Sequence, residues 1–417
     1  MGKKIRLNIT VEEIAFLIMW MVFFVPPAFH RISSVLSHAA TLAGYGAFLL
    51  MFLFKRKEFP VKEDVMYVFA FLLYCNIIVL FKTPGEFPVY LRRYMIPAVE
   101  SIFLVRWSLG GRKTGLRVLY GVTAFYITAN FLSIILFREG MFRSTAGSSV
   151  ERAQWLFGSK NNIPLYMILF ITIAVYYYYT VCRTRMFYVL ALMGAFSVLM
   201  SGADGLEFLG GSSTGIVAYF AVLMMIAYYL HTSRTGRAAL GVKSVFIVTL
   251  IMNLILLTGQ SIPGMEDLIV NVFHKNVTFS GRTTIWAANL RAVGEHLLLG
   301  HGEKGIMAHV LLKGEWVNTD YTYNFVLKLL MNYGIIGLGL FIWMILKITR
   351  GNETGDRLLF SGFIGLLIIG LMNEIEMQWL MLFPIMLTMY EHPLAVCSRS
   401  KKGRIKPERS LGLQIRF

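Results

Sequence analysis

"YNFVLKLLMNYGIIGLGLFIWMILK", residues 323–347, carries a single charge, Lys328, before the closing Lys347. At 1.5 Å of rise per residue a helix of this length crosses the roughly 30 Å hydrocarbon core of a bilayer, so the stretch predicts a membrane span. Further apolar runs predict spans at 13–30, 36–54, 65–82, 88–106, 117–137, 162–182, 186–203, 213–231, 243–260, 357–373 and 376–393. The expected fold is therefore all-α, a polytopic membrane protein of about twelve spans. Composition agrees: 56% of the 417 residues are hydrophobic and 14% aromatic, well beyond a soluble domain.

Charge then sets orientation, because Lys and Arg concentrate in cytoplasmic loops. With the N-terminus inside, 26 of the 40 basic residues fall in inner segments and 14 outside, while the acids divide 10 inside and 13 outside. The inner face thus holds +16 of the net +17. The basic excess is a topology signal, and it removes the support for nucleic-acid binding. Both termini are expected in the cytoplasm. "MGKKIRLNITVEE" runs directly into the first span and reads as an uncleaved anchor; it lacks the Ser or Thr of a myristoylation signal.

Cys75, Cys182 and Cys397 show no CxxC spacing and no outer pairing, so neither a disulfide framework nor a zinc site is expected. The sequence divides into a bundle over 1–259, an outer segment at 260–321, the last three spans within 322–395 and a basic tail over 396–417. Within the bundle, Arg138 to Asn162 forms a second, shorter outer segment.

The longer outer segment contains "FSGRTTIWAANLRAVGEHLLLGHG", Phe279 to Gly302. Ser280 is a plausible N-cap, and Trp286, Leu290, Val293 and Leu297 recur at helical spacing, predicting a helix that lies on the bundle. Arg291 has an i,i+4 partner in Glu295, whereas Arg282 has no acid at helical spacing and sits where a helix N-terminus already favours anions. His301 lies between Gly300 and Gly302, whose backbone amides would be free to approach an anion closely.

"SGRTTIWAANLRAVGEHLLLGHG", followed about twenty residues later by "YNFVLKLLMNYGIIGLGLF", resembles the conserved segment of the O-antigen ligase and Wzy-type polysaccharide polymerase superfamily. Members carry a G-R-x-x-x-W helix, an acid, a run ending in G-x-G, an H-N-x-x-L stretch and a glycine-rich turn. The similarity is specific over some seventy residues, and "FGSKNNIPLY" matches more weakly the Gly and Asn-rich approach to a span. Two positions depart from the pattern. Tyr323-Asn324 stands where ligases have His-Asn, and "MSGADGLEFLGGSSTG" lacks the basic turn of relatives.

The resemblance implies a bacterial plasma-membrane glycosyltransferase with its active site facing outward. It would move a glycan from a polyprenyl (undecaprenyl) diphosphate carrier to the terminal sugar of the next lipid-linked repeat unit, with no cofactor and no metal. The missing His favours a polymerase of O-antigen, capsule or exopolysaccharide over a ligase acting on another acceptor. A lipid-linked oligosaccharide flippase, from a different class, is expected to show internal repeats and buried midplane polar groups, which the halves of this sequence do not match. A flippase and a chain-length regulator enter as partners through the family alone.

Displacement of a diphosphate needs fixed cations, and arginine suits the task because its planar fork pairs with phosphate oxygens and stays charged. The candidates are Arg282 first, then Arg291, Arg143, Arg152, Lys160 and Arg92, the last beside Arg93. Asp320 and Tyr323 are the candidates for handling the acceptor proton, Asn324 and His301 for binding, with His296 and Glu303 as further alternatives. Glu100 and Lys328 are ionisable groups within spans, and so functional suspects.

Overall fold

The computed structural model describes residues 10–55, 63–109, 113–144, 151–236, 240–258, 282–305, 308–312, 315–319, 321–349 and 354–389. In chain order the helices are α1 (Val11–Phe23), α2 (Pro27–Ile32), α3 (Ser34–Lys55), α4 (Glu63–Lys82), α5 (Phe87–Tyr90), α6 (Ile96–Leu109), α7 (Lys113–Leu136), α8 (Ile163–Thr180), α9 (Met186–Met200), α10 (Ser213–Thr235) and α11 (Val242–Thr258). They continue as α12 (Arg282–Glu295), α13 (Phe325–Ile348), α14 (Thr354–Gly370) and α15 (Met377–Thr388). Each of the twelve apolar runs contains helix among its described residues. Among the described residues α4, α7, α8, α10 and α13 are long and apolar enough to cross a membrane, and the chain is a multi-pass membrane protein.

Three of the runs are interrupted. Pro26 and Pro27 end α1, since Pro27 contributes no amide and restricts the residue before it. The run at 88–106 is α5 and α6 joined through a π-helical turn, Leu91–Met95, which inserts Arg92 and Arg93 at its centre. The run at 323–347 breaks inside α13 at Gly334, whose φ of 65° and ψ of −172° only glycine readily adopts.

That break organises the molecule's working end. Residues 297–302 pack into it as a turn: His301 N donates to Met331 O at 2.8 Å, Gly302 N to Asn332 O at 3.0 Å, Ile335 N to Leu297 O at 2.8 Å and Ile336 N to Leu298 O at 3.3 Å. Backbone polar groups released by a helix break are tolerated at membrane depth only when protein re-satisfies them, and here the outer turn does so. A Cβ at Gly334 would lie 2.3 Å from Leu298 O.

The core centres on α8 and α14. The sequence "IPLYMILFITIAVYYYYT" of α8 is apolar all round, as a helix enclosed on every side must be; it packs against α7, α9, α10 and α14. Exposed large apolar side chains, such as Leu42, Leu73, Met224 and Leu254, lie on α3, α4, α10 and α11. These faces suit lipid rather than water.

The chain is predominantly helical, in line with the expected all-α membrane fold, and two short antiparallel hairpins are added to it. Strands β1 (Phe142–Ser144) and β2 (Arg152–Gln154) pair in the first outer segment, with Arg143 opposite Ala153. Strands β3 (Ala308–Leu312) and β4 (Glu315–Thr319) pair in the second, with Val310 opposite Val317 and Leu311 opposite Trp316. Both are short segments with β-branched, aromatic or long side chains between turns, too brief to register against the apolar runs.

The packing of α12 also differs from the expected stripe. Trp286 and Val293 are buried, but Leu290 and Leu297 are exposed; Asn289, with Thr283, Ile285 and Ala292, completes the buried face. The helix stops at Glu295, so Leu297 belongs to the turn that enters α13 and not to the helical stripe. Ser280, Asp320, residues 1–9 and the tail beyond Met389 lie outside the described residues.

Candidate functional site

Arg282 is the first residue of α12 and lines a recess whose other walls come from three places: Asn161 before α8, Ser212, Thr214 and Gly215 at the start of α10, and Ile369 in the last turn of α14 with Met372 and Asn373 just after it. The starts of α8 and α10 meet because Gly215 leaves room for Pro164. Lys160 fastens the two turns, its Nζ donating to Gly210 O at 3.2 Å. Neither helix has a side-chain cap bond at its first turn, and the positive ends of two helix dipoles converge on the recess.

The Arg282 guanidinium stacks 5.2 Å above the Tyr323 ring. Among the described residues no carboxylate pairs with it. Burial holds Arg282 below the ordinary arginine range, with Tyr323 opposing, yet arginine stays charged at any physiological pH. A cation held on an aromatic face, without an acid, keeps its hydrogen-bond donors for an incoming anion.

Tyr323 reaches this position through an unusual backbone. Its φ of 49° is left-handed, a conformation that costs a non-glycine residue about 1–3 kcal/mol. Its neighbours hold it there. Trp286 Nε1 donates to Thr322 O at 2.9 Å, the Thr322 amide donates to Glu374 Oε1, and the Thr322 hydroxyl lies 3.0 Å from the same oxygen. Lys328 Nζ pairs with Glu374 Oε2 at 3.6 Å. A phenol is protonated at neutral pH in its ordinary range, so the Tyr323 hydroxyl is available as a hydrogen-bond donor.

The other expected site residues divide clearly. Arg152, on β2, is close enough to interact electrostatically with Tyr323, whereas Arg143 turns to Asp204 O at 3.4 Å. Asn324 is fully buried and caps α13: its Oδ1 accepts from Leu327 N at 3.0 Å, and its Nδ2 donates to Asn253 Oδ1 and Leu371 O, each at 3.1 Å. His301 Nε2 donates to Ala292 O at 2.8 Å, and the backbone amides of His301 and Gly302 are spent on the α13 break. The Gly-His-Gly turn therefore faces the protein and does not present amides to an anion.

Arg291 is exposed on the far side of α12 and does not pair with Glu295 among the described residues. Arg92 is exposed at the π turn, where its carbonyl accepts from Tyr45 at 3.5 Å. Glu303, a weaker candidate by sequence, is 7% exposed and accepts from Asn332 Nδ2 at 2.6 Å. Burial pushes its carboxyl up, with Lys328 opposing.

Sequence reasoning missed Glu374, Asn373, Ser212 and Asn161. The "LMNEIEM" run between α14 and α15 offered a signal, two acids between adjoining apolar spans, but nothing in it points to a partner fifty residues earlier.

Residues 195–342 match the family model described as O-Antigen ligase. The match runs from α9 into α13, takes in Arg282 and Tyr323, and bears out the resemblance read from the sequence. It gives the chain a membrane glycan-handling role of the O-antigen ligase and polymerase type. No curated protein matches the chain.

Proposed function

We propose that the chain is a polysaccharide polymerase at the outer face of the bacterial plasma membrane, with its twelve apolar runs as spans and both termini inside. It transfers a growing glycan from undecaprenyl diphosphate to the terminal sugar of the next lipid-linked repeat unit. The observation that carries this reading is Arg282: stacked on Tyr323, without an acidic partner among the described residues, and lining a recess between two helix N-termini. That combination suits a diphosphate, whose negative charge grows as it departs.

In the reaction the acceptor hydroxyl oxygen attacks the anomeric carbon, the bond from that carbon to the diphosphate oxygen breaks, and its electron pair stays with the diphosphate. Arg282 and the first-turn amides of α10 hold the leaving group. Tyr323 keeps the guanidinium flat and can donate its phenolic proton in a hydrogen bond to a phosphate or sugar oxygen. The hydroxyl proton must go to a carboxylate or to the departing diphosphate. Asp320, three residues before Tyr323, and Glu303, which burial holds above the ordinary carboxylate range, are the two acids proposed for that task.

A ligase acting on another acceptor would use the same diphosphate site. The Tyr at 323, where ligases carry His, favours the polymerase. Full-length protein in nanodiscs, given lipid-linked repeat units alone, should lengthen them. Arg282→Ala should reduce that rate about 10²- to 10³-fold, and Arg282→Lys should recover part of it. Unchanged units with the wild-type protein would refute the polymerase, and normal lengthening by Arg282→Ala would refute the diphosphate site.

A further inference from the structure

Next to the Arg282 recess lies a second wall that the family match does not cover at either end. Arg93, from the π turn, pairs with Glu376 at 2.5 Å, although the two side chains are 54% and 39% exposed. The Arg93 guanidinium also sits 5.4 Å over the Tyr94 ring. Gln378 Nε2 donates to the other Glu376 oxygen at 3.2 Å. Tyr321, 56% exposed, is close enough to Arg93 to interact electrostatically, and its ring lies 5.8 Å from that of Tyr323.

An exposed ion pair of this kind adds little to stability, because water screens it and two long side chains must be ordered. The π turn is itself a costly irregularity that occurs often at functional sites, and its effect here is to place Arg93 beside the start of α15. The wall's charges nearly cancel: Arg93 and Lys328 face Glu374 and Glu376. Such a surface does not select anions. It offers hydrogen-bond donors and acceptors in alternation, together with aromatic faces, which is the chemistry that recognises a sugar ring: hydroxyls that both donate and accept, and a C–H face that lies on an aromatic ring.

We infer that the wall formed by Arg93, Tyr94, Tyr321, Glu374 and Glu376 is the subsite for the terminal sugar of the acceptor glycan. This rests on the diphosphate reading of Arg282. With the diphosphate there, the anomeric carbon is the first sugar atom beyond it, and the attacking hydroxyl must come within about 3–3.5 Å of that carbon. The acceptor ring then has to occupy an adjoining surface. The Tyr321–Tyr323 contact and the chain step from Asn373, in the recess, to Glu374, on the wall, make this one continuous with the diphosphate site.

Two probes test it on the full-length protein in nanodiscs: undecaprenyl diphosphate, and the repeat-unit oligosaccharide released by mild acid from lipid-linked units that accumulate in cells lacking this protein. Tyr321→Ala and Glu376→Gln should weaken oligosaccharide binding about tenfold and leave undecaprenyl diphosphate binding unchanged. Tyr321→Phe, which keeps the ring, should bind the oligosaccharide nearly as the wild type does, and so excludes misfolding as the cause. Arg282→Ala should show the reverse pattern, losing the diphosphate and keeping the oligosaccharide. Wild-type protein that fails to bind the oligosaccharide, Tyr321→Ala and Glu376→Gln that bind it normally, or the same two variants losing both probes would each overturn the subsite. Undecaprenyl diphosphate retained by Arg282→Ala would overturn the diphosphate reading instead, and is read separately from the oligosaccharide arm.

Discussion

Replacing Gly334 by alanine tests the coupling between the outer turn and α13 most directly. The added Cβ would stand 2.3 Å from Leu298 O and 2.6 Å from Leu299 N, both backbone atoms. Moving the first contact from 2.3 Å to the 3.4 Å where ordinary contact begins requires an opening of 1.1 Å. The bond from Ile335 N to Leu297 O would lengthen from 2.8 Å to 3.9 Å, and that from Ile336 N to Leu298 O from 3.3 Å to 4.4 Å, both beyond hydrogen-bonding distance. Two backbone bonds at about 1 kcal/mol each and a residue forced into a glycine-only conformation at about 1–3 kcal/mol give a loss of about 3–5 kcal/mol. Gly339, in the same helix, is the control: a Cβ there meets nothing within 4 Å, and alanine in an open helical position gains about 0.5–1 kcal/mol. Cys75 is buried, so labelling of its thiol by a fluorogenic dye on heating, in a background lacking Cys182 and Cys397, reports unfolding. Gly334→Ala should label at a clearly lower temperature than the parent, and Gly339→Ala at the same or a higher one. Equal midpoints for the two variants would mean that the turn does not depend on the break.

The same dye assay checks two more changes. Asn324→Ala removes the α13 cap, worth about 1 kcal/mol, and leaves Asn253 Oδ1 and Leu371 O without their shared donor, a further cost of about 1–3 kcal/mol; a midpoint equal to the parent's would argue that the cap contributes nothing. Glu303 has a folded pKa raised above its unfolded value, so its contribution to stability is full below the ordinary carboxylate value and is lost as pH rises through the folded one. Lys328, Glu374, Arg93 and Lys304 all act on it, but burial is the largest cause. Glu303→Gln removes this titration, and its midpoint relative to the parent should climb as pH rises above the ordinary carboxylate value of 4.5; a difference that stays flat with pH would show that folding does not raise the affinity of this carboxyl for its proton.

The apolar runs were legible because a span is a local property: twenty or so residues must be greasy whatever they pack against. The interruptions were less so. Gly334 is one of three glycines in "MNYGIIGLG", and nothing in that string separates it from Gly337 or Gly339; its conformation is imposed by a turn more than thirty residues upstream. The proline break after α1 was readable in principle, whereas the π turn leaves no local mark at Leu91–Met95. Arg282 stood out because no acid lies at helical spacing from it, and the structure places it against Tyr323 as a cation without an acidic partner among the described residues. The Arg93 pairing with Glu376 spans 283 positions, so only the assembled bundle reveals it. His301 misled for a physical reason: flanking glycines do free the backbone to approach something closely, but here that something is the backbone of α13.

The docking of residues 297–302 into the gap in α13 also bears on how this protein could be re-engineered. A chimera that exchanged only residues 260–321 for those of a relative would bring in foreign partners for the amides of Ile335 and Ile336 and the carbonyls of Met331 and Asn332, which are met at present by Leu297, Leu298, His301 and Gly302. The portable cassette is longer. It begins with α12 and ends past Gly334, and a specificity swap that respects those limits carries the arginine, its tyrosine platform and the interlocked backbone as one inherited piece.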